Sequence, residues 1–105
     1  MTSALLAPMF AALADETRWS ILAALGEADA SASALAGRLP VSRQAIAKHL
    51  VVLQEVGLVE PIRAGREVRF RVVGASLETT ARQLDAIGRA WDRRLAAIKD
   101  IAEGL

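Results

Sequence analysis

The stretch that decides the fold is Leu35-Ala36-Gly37-Arg38-Leu39-Pro40-Val41-Ser42-Arg43-Gln44-Ala45-Ile46-Ala47-Lys48-His49-Leu50-Val51-Val52-Leu53-Gln54-Glu55-Val56-Gly57. Pro40 ends whatever helix precedes it, because it lacks an N–H and its ring clashes inside a helix. Ser42 is then an N-cap, its hydroxyl placed to accept a free amide of the next turn. Ile46, Leu50, Leu53 and Val56 follow at spacings of four, three and three, which places them on one buried stripe. Arg43, Gln44, Ala47, Lys48 and Val51 fall on the other face. Gly57 is the expected stop, in the left-handed conformation that glycine adopts without strain.

Toward the N-terminus, Ser31 caps a shorter helix in which Leu35 and Leu39 share one face. With its successor it makes a helix-turn-helix over about residues 31–56. Asp15 is a further N-cap, ahead of Glu16, Thr17 and Arg18. The helix it opens carries Trp19, Leu22 and Ala23 at helical spacing, with Ile21 and Leu25 widening the apolar face. Gly26 and the polar group Glu27-Ala28-Asp29 are expected to end it. A first helix covers Leu5 to Leu13, where Pro8 is tolerable because it lies near the beginning.

After Gly57 the period changes from helical to alternating. Val68, Phe70 and Val72 alternate with Arg69 and Arg71, the pattern of a half-buried strand. Leu58 to Arg63 is a shorter partner, and Pro61 places it at an edge. Ala64-Gly65-Arg66 supplies the turn, so a hairpin, or wing, spans about residues 58–73 with an arginine at its tip. From Leu77 to about residue 103 the chain is helical again. Leu77, Leu84, Trp91, Ile98 and Leu105 recur every seven residues, and Ala81, Gly88, Leu95 and Ala102 do so between them. This is a heptad seam of large residues alternating with mostly small ones, suited to two helices in close approach.

The 105 residues fit one domain, of which 53% are apolar, enough for a core. An oligomer interface would still add to the stability of so small a chain. Cysteine is absent, which removes disulfides, thiolate metal sites and thiol redox chemistry, and leaves a soluble cytoplasmic protein as the expectation. No apolar run approaches the ~20 residues of a membrane span, and the first residues lack the basic region of a secretory signal. Net charge is +1, but its distribution is uneven. Residues 38–71 hold seven basic side chains against three glutamates, and the remainder holds six basic against nine acidic ones. A basic middle between acidic flanks marks a localised phosphate-binding face.

The architecture expected is therefore mainly α with a small β-hairpin (α+β): a winged helix-turn-helix of four helices, two strands and a fifth helix. In such a unit the second helix enters the major groove of double-stranded DNA, and residues near its N-terminus reach base edges. Arginine can donate twice to guanine and glutamine can pair with adenine, which suits Arg43 and Gln44. Ser42, Ala47, Lys48 and His49 complete the helix part of the expected site, with Lys48 better placed for a phosphate. Arg66 at the wing tip suits the minor groove, whose negative potential attracts arginine. Arg63, Arg69 and Arg71 touch phosphates or stay in solvent.

The phrases Leu13-Ala14-Asp15-Glu16-Thr17-Arg18, Leu35 through Leu50, and Leu53-Gln54-Glu55-Val56-Gly57-Leu58-Val59 resemble the ArsR/SmtB family of bacterial repressors. The resemblance runs from about Phe10 to the end of the last helix. It implies a homodimer formed by the first and last helices, with Leu6 and Phe10 joining Leu84, Gly88, Trp91, Leu95 and Ile98 at the interface. It also implies repression by occupying a promoter operator, modulated by an effector, here a small molecule of unidentified chemistry.

The chain departs from the family's metal-sensing pattern. The pair of thiols at the start of the third helix falls at Ser31 and Ser33, and hydroxyls are poor ligands for soft or borderline metals. The last helix has Asp85, Asp92, Asp100 and Glu103 but no histidine for the second family site. No metal or other cofactor is therefore expected. Trp91, Arg94 and Leu95 make that helix similar to metal-independent, autorepressor-like members. His49, the single histidine, is expected to pack at the helix edge with a ring nitrogen near a phosphate. Trp91 is expected in the dimer core, or lining a pocket where Ala81 and Gly88 leave space. An enzyme is not expected, since no nucleophile–base pair or glycine-rich phosphate loop is present. The competing class is a winged-helix interaction module that docks on protein without specific DNA binding.

Overall fold

A computed structural model of the chain describes residues 6–104, apart from the side chain of Leu6. In chain order the elements are α1 (Leu6–Leu13), α2 (Glu16–Glu27), β1 (Ala30–Ser31), α3 (Ala32–Arg38), α4 (Arg43–Glu55), β2 (Val59–Ala64), β3 (Glu67–Val72) and α5 (Gly74–Glu103). The expected start of the first helix at Leu5 and the last heptad position, Leu105, lie outside the described residues.

All three caps form. Asp15 Oδ1 accepts from the Arg18 amide at 2.9 Å, and Ser31 and Ser42 accept from Ala34 and Ala45 at 3.1 Å each. The Asp15 carboxyl is held below its ordinary value, first by that backbone N–H, with the charge of Arg18 adding to it. α4 ends in a Schellman motif: Gly57 has φ +80°, its amide donates to the Gln54 carbonyl, and the Leu58 amide reaches back to Leu53. Leu53 and Leu58, the apolar pair that accompanies this motif, are both fully buried.

The core lies between α2, α3, α4 and the base of the sheet. Ile21, Leu35, Ile46, Leu53 and Leu58 have no exposed surface, and Leu22, Leu25, Leu50 and Val59 are nearly as enclosed. Burying such a side chain is worth about 1.5–3 kcal/mol, so this one cluster fixes where α4 sits and which face it turns outward.

α2 ends at Glu27, inside the expected stop of Gly26 and Glu27-Ala28-Asp29, where Ala28 turns extended. Other expectations are corrected. The buried face of α2 is Ile21, Leu22, Ala24 and Leu25, while Trp19 is 57% exposed and Ala23 also points outward. Both sets satisfy helical spacing, and packing against α4 selects the first. β1 was not expected at all: Ala30 and Ser31 pair with Phe70 and Arg69, making a three-stranded antiparallel sheet of order β1-β3-β2. A two-residue strand has too few positions to show a period. β2 is an edge strand, as Pro61 requires.

The hairpin closes through Gly65 and Arg66, with Ala64 opposite Glu67. Gly65 alone has positive φ (+65°), the pattern of a type II′ turn, whose twist suits two antiparallel strands. Val68 is 40% exposed, because the core ends at Phe70 and the wing extends beyond it. α5 begins at Gly74, three residues before the expected Leu77, and no side chain caps it, so its start left no signature. Among its described residues only Thr80 is buried. The rest projects from the body, giving overall dimensions of 67 × 28 × 22 Å.

Candidate nucleic-acid interface

The Ser42 cap and the Ile46, Leu50 and Leu53 anchors determine what α4 presents. Arg43, Gln44, Ala47, Lys48 and Val51 are all exposed on one side of it. Val51, 53% exposed, extends this face by a further turn and was not in the expected contact set. The four residues Leu39–Ser42 that link α3 to α4 are tightened by a bond from the Val41 amide to the Leu39 carbonyl (2.8 Å).

The start of α4 and the wing tip open onto the same recess. A groove of about 540 Å³ has Ser31 and Ser33 at the start of α3, Arg43 at the start of α4, and Arg66, Glu67, Val68 and Phe70 of the hairpin around it. Two cations far apart in sequence thus flank one concavity. The remaining wing residues divide by strand alternation. Arg63 lies opposite Val68, on the face that carries Phe70 and Val72 toward the helices. Arg69 and Arg71 lie on the opposite face, where Arg69 bonds Glu67 at 3.0 Å and Arg71 bonds Glu60 at 2.5 Å. The Arg69 guanidinium, followed by the Ser31 hydroxyl, holds the Glu67 carboxyl below its usual range. Among the described residues Arg43, Lys48, Arg63 and Arg66 form no ion pair, so their charge is available to an external anion.

His49 stands apart from this face. Its Nδ1 lies 3.3 Å from Nη1 of Arg18, on the side of α4 turned toward α1 and α2. Arg18 also donates from Nε to the Ala12 carbonyl (2.8 Å) and from Nη2 to the Ala11 carbonyl (3.1 Å). It thereby satisfies two of the carbonyls left open at the C-terminus of α1 and places a cation at the negative end of that helix. Sequence reasoning missed Arg18, since its partners come from two other helices and no spacing relates them.

Of the expected dimer residues, Leu84, Trp91, Leu95 and Ile98 are 45–60% exposed along one side of α5. Arg94 lies 5.5 Å above the Trp91 ring, and a Cβ built on Gly88 meets nothing within 4 Å. Phe10 is half-buried on α1, and the side chain of Leu6 is outside the described residues. The stripe lies unpaired in the single chain.

The two serines do not fit a thiolate metal site: Ser31 is buried and its oxygen is committed to capping α3. On α5, Asp85 pairs with Arg89 and Glu103 with Lys99, both four residues apart on the same helix. Among the described residues no three histidine or carboxylate side chains gather as metal ligands.

Comparison with known proteins gives the same picture. A family described as helix-turn-helix domain matches residues 13–62. An ArsR-like transcriptional regulator from Rhodococcus sp. RHA1 superposes with a TM-score of 0.79 at 68% identity, over 94% of this chain and 93% of that one. The HTH-type transcriptional regulator CmtR of Mycobacterium tuberculosis is 34% identical over 92 residues, which is 88% of this chain and 78% of CmtR. The solution structure of that protein, described as a cadmium metal-sensor, superposes with a TM-score of 0.58 at 39% identity over 64% of this chain and 69% of that one. The homodimeric winged helix-turn-helix DNA-binding domain of Mb0332 from Mycobacterium bovis gives 0.66 at 27% identity, over 87% and 82%. The chain belongs to the ArsR family of winged helix-turn-helix, DNA-binding transcriptional regulators.

Proposed function

We propose that the protein is a homodimeric, sequence-specific repressor that occupies a promoter operator and does not sense metal through the family's thiolate position. The observation that carries the DNA-reading part is the convergence of Arg43 and Arg66 on one groove, below an α4 face whose cations have no internal partners. In this reading Ser42 fixes the start of α4, and Arg43 and Gln44 read base edges in the major groove. Ala47 and Val51 offer apolar surface to thymine methyls, and Lys48 meets a phosphate. Arg66 enters the minor groove and Arg63 contacts the backbone. Arg69 must leave Glu67 to do the same, so its contribution is smaller. His49 acts through the placement of α4.

The dimer part rests on α5. Leu84, Trp91, Leu95, Ile98 and Ile101 leave an apolar stripe in water, the kind of surface that marks an interaction site. A second copy, seated along the Leu84–Gly88–Trp91–Leu95–Ile98 seam with Leu6 and Phe10 of α1, would cover it. Its symmetry would present two reading helices to successive major grooves. The homodimeric Mb0332 domain supports this assembly by likeness. Ser31 and Ser33 support the absence of thiolate metal sensing, and the effector is left to a small molecule.

Selection of duplexes from a random-sequence library by the purified protein tests the proposal. Enrichment of one motif with two related half-sites about one helical turn apart is the expected result. Recovery of no motif would instead favour a module that docks on protein.

A further inference from the structure

We infer that Arg18 is a positioning residue for DNA recognition, holding the reading helix α4 to the dimerisation helix α1 through His49. The inference rests on the DNA-binding reading above and adds a link between its two halves. Arg18 spends its Nε and Nη2 hydrogens on the Ala12 and Ala11 carbonyls at the end of α1. Its own amide is fixed by the Asp15 cap. That leaves Nη1 aimed at His49 Nδ1, 3.3 Å away on α4. The guanidinium is rigid and planar, so two bonds to α1 determine where the third donor points. A shift of α1, as when a second copy packs on it, therefore moves the anchor of α4.

The contact also assigns the roles of its two partners. Arginine has five N–H donors and no acceptor, so Nδ1 of His49 faces Nη1 as the acceptor.

The test uses the full chain and the duplex recovered in the selection above. Arg18→Met keeps the apolar stem and removes all donors. It is expected to weaken binding on the order of tenfold, with helix content and sedimentation unchanged. His49→Leu, which removes the acceptor, is expected to lose a comparable amount, and the double variant no more than either single one. His49→Asn, which keeps an acceptor, should bind close to wild type. His49→Leu binding like wild type, or losses that add in the double variant, overturns the inference. Arg18→Met binding like wild type overturns it as well. Should Arg18→Met fail to fold, His49→Leu and His49→Asn still decide. If wild type selects no duplex, the DNA-binding reading falls first and the inference with it.

Discussion

Gly88→Ala separates the chain seen alone from the dimer proposed for it. Gly88 lies inside α5, where glycine costs about 1 kcal/mol relative to alanine. In the single chain a Cβ there meets nothing within 4 Å, so the added methyl should raise stability by about that amount. The seam argument requires the opposite sign. Gly88 falls between Leu84 and Trp91 on the apolar stripe, at a small position where a facing helix approaches closely. A methyl inserted into such a contact typically costs about 1–3 kcal/mol. The C2 axis presents the change twice in each dimer, so the loss should outweigh the gain in helix propensity. Sedimentation equilibrium would give the dimer constant, and urea unfolding at several protein concentrations would give the concentration dependence of the midpoint. We expect a weaker dimer and a lower midpoint at low concentration. A more stable protein with an unchanged dimer constant would refute the seam.

Further predictions follow from individual contacts. Gly57→Ala should destabilise the fold by about 1–2 kcal/mol in urea unfolding, through conformation alone, because the nearest atom to its Cβ is Ser76 Oγ at 3.9 Å. Gly37→Ala, in a helix with open space around it and no positive φ, should do the reverse and serves as the control. Arg43→Ala should cost about 1–3 kcal/mol in binding and relax the preference at one base pair per half-site, read by repeating the duplex selection. Asp15 has a folded pKa below its ordinary value, so its stabilising contribution is present above that value and is lost as pH falls through the folded pKa. Stability should drop in urea unfolding below about pH 4, and Asp15→Asn, which can still cap, should reduce that acid sensitivity.

Much of the fold was legible because its punctuation is local. Asp15, Ser31 and Ser42 cap within three residues of themselves, Gly57 stops α4, and the Ile46–Leu50–Leu53 stripe fixes the face α4 buries. The features that escaped depend on distant partners. β1 exists because Phe70 and Arg69 pair with it. Trp19 points outward because α4 packs on the other side of α2, although both faces satisfied the spacing. The start of α5 lacks a capping side chain and therefore a signature. In the site, the exposed α4 residues could be read from the helical period. The shared groove of Arg43 and Arg66, and the separation of Arg63 from Arg69 by strand alternation, needed the third dimension. For His49, expected at the helix edge near a phosphate, the contact with Arg18, a partner 31 residues away, could not be read from spacing.

The salt dependence of binding to the selected duplex tests the central claim most directly. Arg43, Lys48, Arg63 and Arg66 are free of internal ion pairs among the described residues. If Arg43 reads a base and Arg66 enters the minor groove, Lys48 and Arg63 in each protomer remain for phosphates. A dimer would then lose affinity with a log–log slope of about −4. A slope of that size, together with a clear preference for the selected duplex over a scrambled one, is what the account predicts. A shallow slope, or equal binding to both duplexes, would contradict it.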